Sequence, residues 1–244
     1  MKCMKTWTTK SGYRIIRILS GRSNVFLLTN GKQHILIDTS PKSKWEKLVK
    51  RLDDLDIRHI DYLILTHTHF DHAGNAHSIK QKYNSKVIVH REEAAYLTSG
   101  DNIVPNGTFA ITRTLVRLFA ERILQGCRYE PCQYDILVDS SFDLATFGFN
   151  ATIIHTPGHT IGSMSVVVDN EVAVVGDAVF GVFPWSVFPP YATDVKQMID
   201  SWGVLLKTDC SLFLPAHGSA NSRSLLQKDY DKRILKMTTT TSHL

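Results

Sequence analysis

The sequence has few cysteines, no long apolar run and no signal-like N-terminus, and each of these absences argues against a class of protein. The four cysteines of this 244-residue chain include no CxxC pair, so neither a zinc ribbon nor a disulfide framework is expected. No run of about 18 apolar residues is present to span a membrane. No apolar stretch follows the basic N-terminal residues, as it would in a signal peptide. We therefore expect a cytoplasmic protein.

The charges of the chain are nearly balanced and dispersed. The formal net charge is +5, and no Lys or Arg block of the kind that binds nucleic acid is present. We expect a small-molecule substrate rather than nucleic acid or a membrane as the partner. A homodimer is an open alternative to a monomer.

Strand and helix patterns are intermixed and predict an α/β (α+β) chain. With 43% hydrophobic residues, the chain is able to bury one full core, and we expect a single domain over residues 1–244. The predicted strands are 13–19, 25–29, 34–38, 62–65, 87–90, 136–138, 152–155, 164–168, 172–175 and 212–214. The predicted helices are 43–55, 73–83, 112–124, 195–206 and 224–236, followed by a frayed polar tail at 238–244.

The order of these elements suggests two similar halves. Asn30-Gly31 and Asp169-Asn170 predict an antiparallel hairpin in each half. Between the halves, residues 92–131 show helical patterns but few strands, which predicts a helical insertion that acts as a lid or an interface. Two sheets packed face to face under helices satisfy the pattern, because each sheet then buries both faces. Periodicity alone leaves a doubly wound sheet open.

The most informative segment is THTHFDHAGN at residues 66–75, which contains the pattern HxHxDH directly after an apolar strand. Packing explains four such donors poorly, because each buried one would need its own partner. Imidazole and carboxylate together suit zinc, iron or manganese. His67 and His69 are able to point to one side of an extended turn, whereas Asp71 and His72 begin a helix. This arrangement favours two metal ions over one.

Three later segments repeat this arrangement of a strand that ends in a turn with a donor. They are HTPGHT at 155–160, VGD at 175–177 and LPAHG at 214–218. Each is weak alone, but all of them in this order form a specific pattern.

With these motifs, the chain resembles the metallo-β-lactamase superfamily, and more closely its glyoxalase II-like and lactonase-like hydrolases. The resemblance extends from Asp38 to His217 and implies a four-layer αββα sandwich. It implies two divalent metal ions, with zinc expected first and iron or manganese as alternatives. The implied ligands are His67, His69 and His159 for one ion, Asp71, His72 and His217 for the other, and Asp177 between the two. Asp38 would orient a ligand, and His155, four residues before His159, is expected either to be structural or to support a ligand from behind.

The resemblance implies a hydrolase that cleaves an ester, thioester or lactone by attack of a metal-bridging hydroxide, and Asp71 is expected to be the proton acceptor and later donor. No GxSxG nucleophile motif is present. A phosphodiesterase or nuclease and a β-lactamase-like amide hydrolase are the alternatives.

Two departures from the family patterns bear on the substrate. The segment after His217 is short for the helical domain with which glyoxalase II enzymes hold glutathione. Quorum-quenching lactonases have a tyrosine three residues after the bridging aspartate, and here that residue is Phe180.

A redox function is a further alternative. Diiron redox relatives replace the second histidine of the cluster by glutamate, whereas here that residue is His69, which argues against such a function.

An uncharged aromatic segment follows Asp177 at residues 178–191, and we call it the lip. Its prolines and glycine argue against a regular element. It is expected to be an apolar border of the substrate site, with core packing or a dimer contact as equal alternatives. The candidate substrate contacts are Phe180, Phe183, Trp185, Phe188 and Tyr191.

Overall fold

The computed structural model describes residues 4–101 and 106–241. Two β-sheets pack face to face in this part of the chain. The first sheet has seven strands in the order β1-β2-β3-β4-β5-β6-β7, and the second has six in the order β13-β12-β11-β10-β9-β8. Each half of the chain therefore forms one sheet, in agreement with the two halves expected from the sequence.

The described residues of the first half form seven strands and five α-helices. Its strands are β1 (Thr6–Thr8), β2 (Arg14–Leu19), β3 (Val25–Thr29), β4 (His34–Ile37), β5 (Tyr62–Ile64), β6 (Lys86–His90) and β7 (Ile136–Val138). Its helices are α1 (Trp45–Asp53), α2 (Phe70–Ala73), α3 (Ala76–Tyr83), α4 (Ala94–Ser99) and α5 (Ala110–Gly126). Strands β1 to β4 pair antiparallel and β4 to β7 pair parallel.

The second half carries six strands and two long helices. Its strands are β8 (Ser141–Asp143), β9 (Ala151–His155), β10 (Met164–Val168), β11 (Val172–Gly176), β12 (Leu212–Pro215) and β13 (Asn221–Ser222). Its helices are α6 (Val195–Lys207) and α7 (Arg223–Thr241). Only β11 and β12 pair parallel in this sheet. The turn between β10 and β11 places Asp169 and Asn170 at positive φ, as a tight hairpin requires.

Three layers of buried side chains hold the sandwich together. Alternate residues of β3 belong to two different layers. Leu27 packs under α1 and α3, whereas Phe26 and Leu28 face the second sheet. The outer face of the second sheet packs against α6 and α7 through Trp202 and Leu226. Strands buried on both faces explain the near-continuous apolar runs in the sequence. The predicted αββα fold is confirmed.

The predicted helix 73–83 begins earlier and is broken. Helix α2 starts at Phe70, so Asp71 and His72 both lie in its first turn. The break before α3 lies at Gly74 and Asn75, where the Asn75 amide donates to the carbonyls of residues 39–41. These bonds connect the segment after β4 to the histidine cluster.

The predicted helical insertion is attached to the core at both of its ends. Leu97 in α4 and Tyr129 after α5 are buried in the first core cluster. Helix α5 itself lies at the periphery and exposes Ile111 and Leu118. Residues 102–105 lie outside the described part of the chain.

The tail predicted to fray at 238–244 is helical as far as Thr241, and its last three residues lie outside the described part. Among the described residues, no helix has the length and apolar character needed to cross a membrane.

Candidate metal centre

The predicted donors follow the ends of four strands and meet at one end of the sandwich. His67 to His72 come after β5, His159 after β9, Asp177 directly after β11, and His217 directly after β12. The structure brings all seven predicted ligands together in overlapping groups, within each of which the donor atoms lie within 4.8 Å of one another.

The first donor group consists of His67, His69 and His159. His69 Nδ1 lies 2.9 Å from His67 Nε2 and 3.1 Å from His159 Nε2. The three rings meet nearly edge to face, so their nitrogens converge on one point. His159 Nδ1 donates to the Tyr191 carbonyl, which leaves the lone pair of its neutral Nε2 directed at the group.

The second donor group consists of Asp71, His72 and His217. His217 Nε2 lies 3.7 Å from Asp71 Oδ2, and His72 Nε2 lies 4.0 Å from Asp71 Oδ1. The ring of Phe180 stacks on His217 with centroids 4.6 Å apart and fixes its orientation.

Asp177 lies between the two groups. Its Oδ2 is 3.4 Å from His159 Nε2 and 3.3 Å from His217 Nε2, while its Oδ1 is 3.5 Å from His72 Nε2. One carboxylate thus contacts imidazoles of both groups, which is the placement expected of a bridging ligand.

The pKa values of the buried histidines shift in opposite directions within the centre. Burial lowers the pKa of His67 well below its usual value, and the neighbouring imidazoles lower it further. Burial alone would also lower the pKa of His72, but the carboxylates of Asp177 and Asp38 outweigh burial and raise that pKa to about 10. The pKa of the Asp177 carboxyl is lowered despite its burial, because His217, His72 and His159 surround it. The centre therefore stabilises positive charge beside Asp177.

The residues present fit divalent cations. His72 Nε2 and Asp177 Oδ1 are buried and lie 3.5 Å apart, and neither has a hydrogen-bond partner, so an ion bound by both would satisfy them. Three imidazoles in one group, and two imidazoles with a carboxylate in the other, are donor sets that zinc, iron or manganese accept.

Asp38 lies behind the second group and orients His72. It adopts positive φ directly after β4, and its Oδ2 accepts a hydrogen bond of 2.9 Å from His72 Nδ1. Its Oδ1 accepts from the backbone N–H of Thr66 at 2.8 Å. This carboxylate therefore directs His72 Nε2 toward the centre, as a residue behind a ligand does.

His155 has the structural position expected of it. Its Nε2 donates to the Ile161 carbonyl at 2.8 Å, and its ring stacks on His90 at 4.0 Å. These contacts hold the turn that carries His159, and His155 belongs to neither donor group.

The turn before His159 requires a glycine. Gly158 has φ +124°, and a Cβ there would lie 2.2 Å from the backbone nitrogen of Met198 in α6. We expect Gly158→Ala to lower the free energy of unfolding by about 2 kcal/mol or more, from strain and overpacking together. Denaturant unfolding measures it, with Gly126→Ala as the control, because a Cβ at Gly126 meets nothing within 4 Å. Equal stability of the two variants would contradict this packing.

The structure divides the lip into buried and exposed aromatics. Phe180 and Phe188 are each 8% exposed, and the Arg233 guanidinium lies 3.3 Å above the ring of Phe188. Phe183 and Trp185 stack on each other and are 48% and 66% exposed. Tyr191 is half-buried, and its carbonyl accepts the bond from His159. The exposed aromatic surface of the lip thus consists of Phe183 and Trp185.

Sequence reasoning missed two residues beside the centre. Arg22 Nε lies 3.5 Å from Asp71 Oδ2. Glu93 accepts a hydrogen bond from Thr68, which lies between His67 and His69. Neither residue carries a sequence signal, because an isolated Arg or Glu in a polar stretch is typical of a solvated surface.

Comparisons with known proteins agree with this geometry. A family model described as the metallo-beta-lactamase superfamily matches residues 20–217. A probable metallo-hydrolase of Methanocaldococcus jannaschii is 28% identical over 207 residues, which cover 82% of this chain and 90% of the relative. The hydroxyacylglutathione hydrolase GloC of Haemophilus influenzae is 27% identical over 215 residues, which cover 84% of this chain and 90% of the relative.

The fold has solved counterparts as well. An archaeal metallo-beta-lactamase superfamily protein from Sulfolobus tokodaii has a TM-score of 0.61 to this chain at 23% identity, covering 87% of this chain and 80% of that one. At this identity, the likeness supports the shared sandwich fold alone.

A sandwich with histidine and aspartate donors gathered at its strand ends fits the class of metallo-hydrolases, to which the named relatives are assigned. Within that class, the family model covers well over half of the sequence, and the chain belongs to the metallo-beta-lactamase superfamily. The predicted resemblance to the metallo-β-lactamase superfamily is confirmed, and the names of the relatives indicate a hydrolase.

Proposed function

We propose that this protein is a hydrolase with two divalent metal ions that cleaves a carboxylic ester or thioester. The observation that carries the proposal is the position of Asp177, whose two oxygens face imidazoles of both donor groups. In the proposal, His67, His69 and His159 hold one ion, Asp71, His72 and His217 hold the other, and Asp177 is shared. Zinc is the first candidate, with iron or manganese as alternatives.

Divalent ions, when bound, lower the pKa of water to about 7 and polarise a carbonyl group. The chain itself supplies the remaining functions. Asp71 is the proposed proton acceptor and later the donor to the leaving group, because its side chain is 10% exposed whereas that of Asp177 is only 4% exposed. A proton on Asp71 is therefore able to reach a leaving group that departs toward solvent.

The side from which a substrate enters follows from burial. His67 and His72 are fully buried, whereas the side chain of His217 is 17% exposed beside Asp71. The lip passes next to His217, since the Gly181 N–H donates to the His217 carbonyl at 2.8 Å. Substrate access on this side would bring an acyl or leaving group toward the exposed Phe183 and Trp185.

The helix α5 is the proposed lid of this entrance. It starts from the lip, because the Thr108 N–H donates to the Pro190 carbonyl at 3.0 Å and Phe109 packs edge to face on Phe188. This attachment supports the interpretation of residues 92–131 as an insertion that covers the substrate within one domain over residues 1–244.

Two observations favour an ester or thioester over a lactone as substrate. GloC, a relative of similar length, is named as a hydrolase of hydroxyacylglutathione, and an acyl group on the glutathione sulfur is a thioester. Phe180 has no hydroxyl and stacks on His217, so this position cannot donate a hydrogen bond to a lactone carbonyl.

An activity panel on zinc-loaded protein tests the proposal. The panel contains an acyl thioester, a carboxylic ester, an acyl-homoserine lactone, a phosphodiester and a penicillin. We expect the thioester or ester to have the highest kcat/KM, and Asp71→Asn to lower it by about 100-fold or more through loss of proton transfer and of a charged ligand of the second ion.

Two outcomes would overturn parts of the proposal. Turnover of the phosphodiester alone would assign the centre to a phosphodiesterase or nuclease, and turnover of penicillin alone would assign it to an amide hydrolase. Asp143→Asn is the matched control, because Asp143 is exposed and bonds only locally, to the N–H of Ala145.

A further inference from the structure

A buried carboxylate outside the ligand set joins two of the ligand loops. Glu93 precedes α4 and is 0% exposed, although it lies in the polar run Arg91-Glu92-Glu93. A fully buried acidic side chain is rare and costly unless its oxygens are satisfied. Its contacts therefore point to a specific role.

Both oxygens of Glu93 accept hydrogen bonds from loops that carry ligands. Oε2 accepts from the backbone N–H of Thr68 at 3.0 Å and from the hydroxyl of Thr68. Oε1 accepts from the backbone N–H of Gly162 at 3.2 Å. Thr68 lies between His67 and His69, and Gly162 lies three residues after His159. One side chain thus connects the loops of all three members of the first donor group.

The side chain of Glu93 packs closely against Gly162. A Cβ at Gly162 would lie 2.4 Å from Cγ of Glu93, so only glycine lets the turn reach this carboxylate. The second donor group has a separate support, because Asp38 orients His72 and the Ser23 hydroxyl donates to the Asp71 carbonyl at 2.6 Å. Asp38 also reaches the first group through Thr66, whose hydroxyl donates to Asp38 and lies 3.2 Å from His67 Nδ1. The hydrogen bonds of Glu93, in contrast, are made to loops of the first group.

We propose that Glu93 is a positioning residue for the first metal ion, which sets the relative placement of the loops of His67, His69 and His159 and has no part in the second site. The inference rests on the proposed function, since it requires an ion in the first donor group. Residues that hold metal ligands in place through hydrogen bonds commonly change metal affinity when they are mutated.

The chemistry requires a carboxylate at this position. Three donors from two loops converge on Glu93, and two acceptor oxygens satisfy them. Glutamine has the same shape but offers one oxygen and one NH2 group, which would face a backbone N–H of Thr68 or Gly162. Glu93→Gln therefore breaks one connection while the volume of the core is kept.

The test measures zinc affinity one site at a time, by competition with a chromophoric chelator. In a His217→Ala background, the remaining ion is held by the first group, and Glu93→Gln is expected to weaken its binding by about 10–100-fold. In a His69→Ala background, the remaining ion is held by the second group. There Glu93→Gln is expected to change the zinc affinity by less than about threefold, well below the loss expected at the first site.

The controls separate positioning from a general loss of stability. Glu92→Gln makes the same change of charge on the same turn at an exposed side chain, and we expect it to alter neither affinity. If Glu93→Gln does not fold, Thr68→Val removes only the hydroxyl contact, and we expect it to weaken the first site alone.

The outcomes distinguish the two proposals. Wild-type protein that binds no metal would overturn the proposed function. Wild-type protein that binds two ions, with a Glu93→Gln variant that weakens neither site or both sites equally, would overturn the role of Glu93 alone.

Discussion

Replacing Asp177 with alanine is expected to remove metal and activity together. Asp177 contacts imidazoles of both groups, so its loss would deprive both proposed ions of a ligand and remove a buried negative charge. Divalent ions, when bound, would supply several kcal/mol of transition-state stabilisation, and about 1.4 kcal/mol corresponds to a tenfold change in rate. We therefore expect kcat/KM to fall by about 1000-fold or more.

Elemental analysis and steady-state kinetics on the same preparation measure this effect. Asp200→Ala is the control, because Asp200 is an exposed carboxylate on α6 whose partner is Lys196. The control is expected to keep both the metal and the activity. An Asp177→Ala variant that is metal-free and fully active would contradict the assignment of the centre.

Removing the metal from the wild-type protein is expected to abolish activity and lower the melting temperature. A ligand at a free concentration of 100 times its Kd stabilises a protein by about 2.7 kcal/mol. For a chain of this length, 1 kcal/mol corresponds to about 2–4 °C in Tm. Chelation is therefore expected to lower Tm by about 5 °C or more, because His72 and Asp177 then keep buried polar atoms unsatisfied.

Re-addition of zinc, manganese or iron(II) is expected to restore both properties and to rank the three metals. The Asp177→Ala variant serves as the control, since a protein without bound ions should show little change of Tm on chelation. Chelated wild-type protein with unchanged Tm and activity would show that the donors hold no ion that matters for function.

The metal donors were predictable because their signal is local. HxHxDH places four donors within six residues after a strand, and each later motif is a strand end followed by one donor. Strands β9, β11 and β12 run in the same direction, because β9 and β11 are both antiparallel to β10 and β12 is parallel to β11, so their donors lie at one end of the sheet. The sequence motifs implied this convergence through the resemblance to the family. Asp71 and His72 begin a helix as expected, but this helix, α2, ends at Ala73, and α3 starts separately at Ala76.

The elements that escaped prediction are short or irregular. Strands β1, β8 and β13 have two or three residues each, too few for an alternating pattern, and they form at sheet edges through pairing with longer neighbours. The lip has no period, so its sequence does not separate Phe188, packed under Arg233, from the exposed Trp185. Glu93 is visible only through its tertiary contacts.

The most direct measurement is a crystal structure of zinc-loaded protein with anomalous scattering recorded at the zinc edge. Two anomalous peaks are expected on either side of Asp177, one among His67, His69 and His159 and the other among Asp71, His72 and His217. A single peak with His217 unliganded, or peaks only on the protein surface, would contradict the two-metal centre.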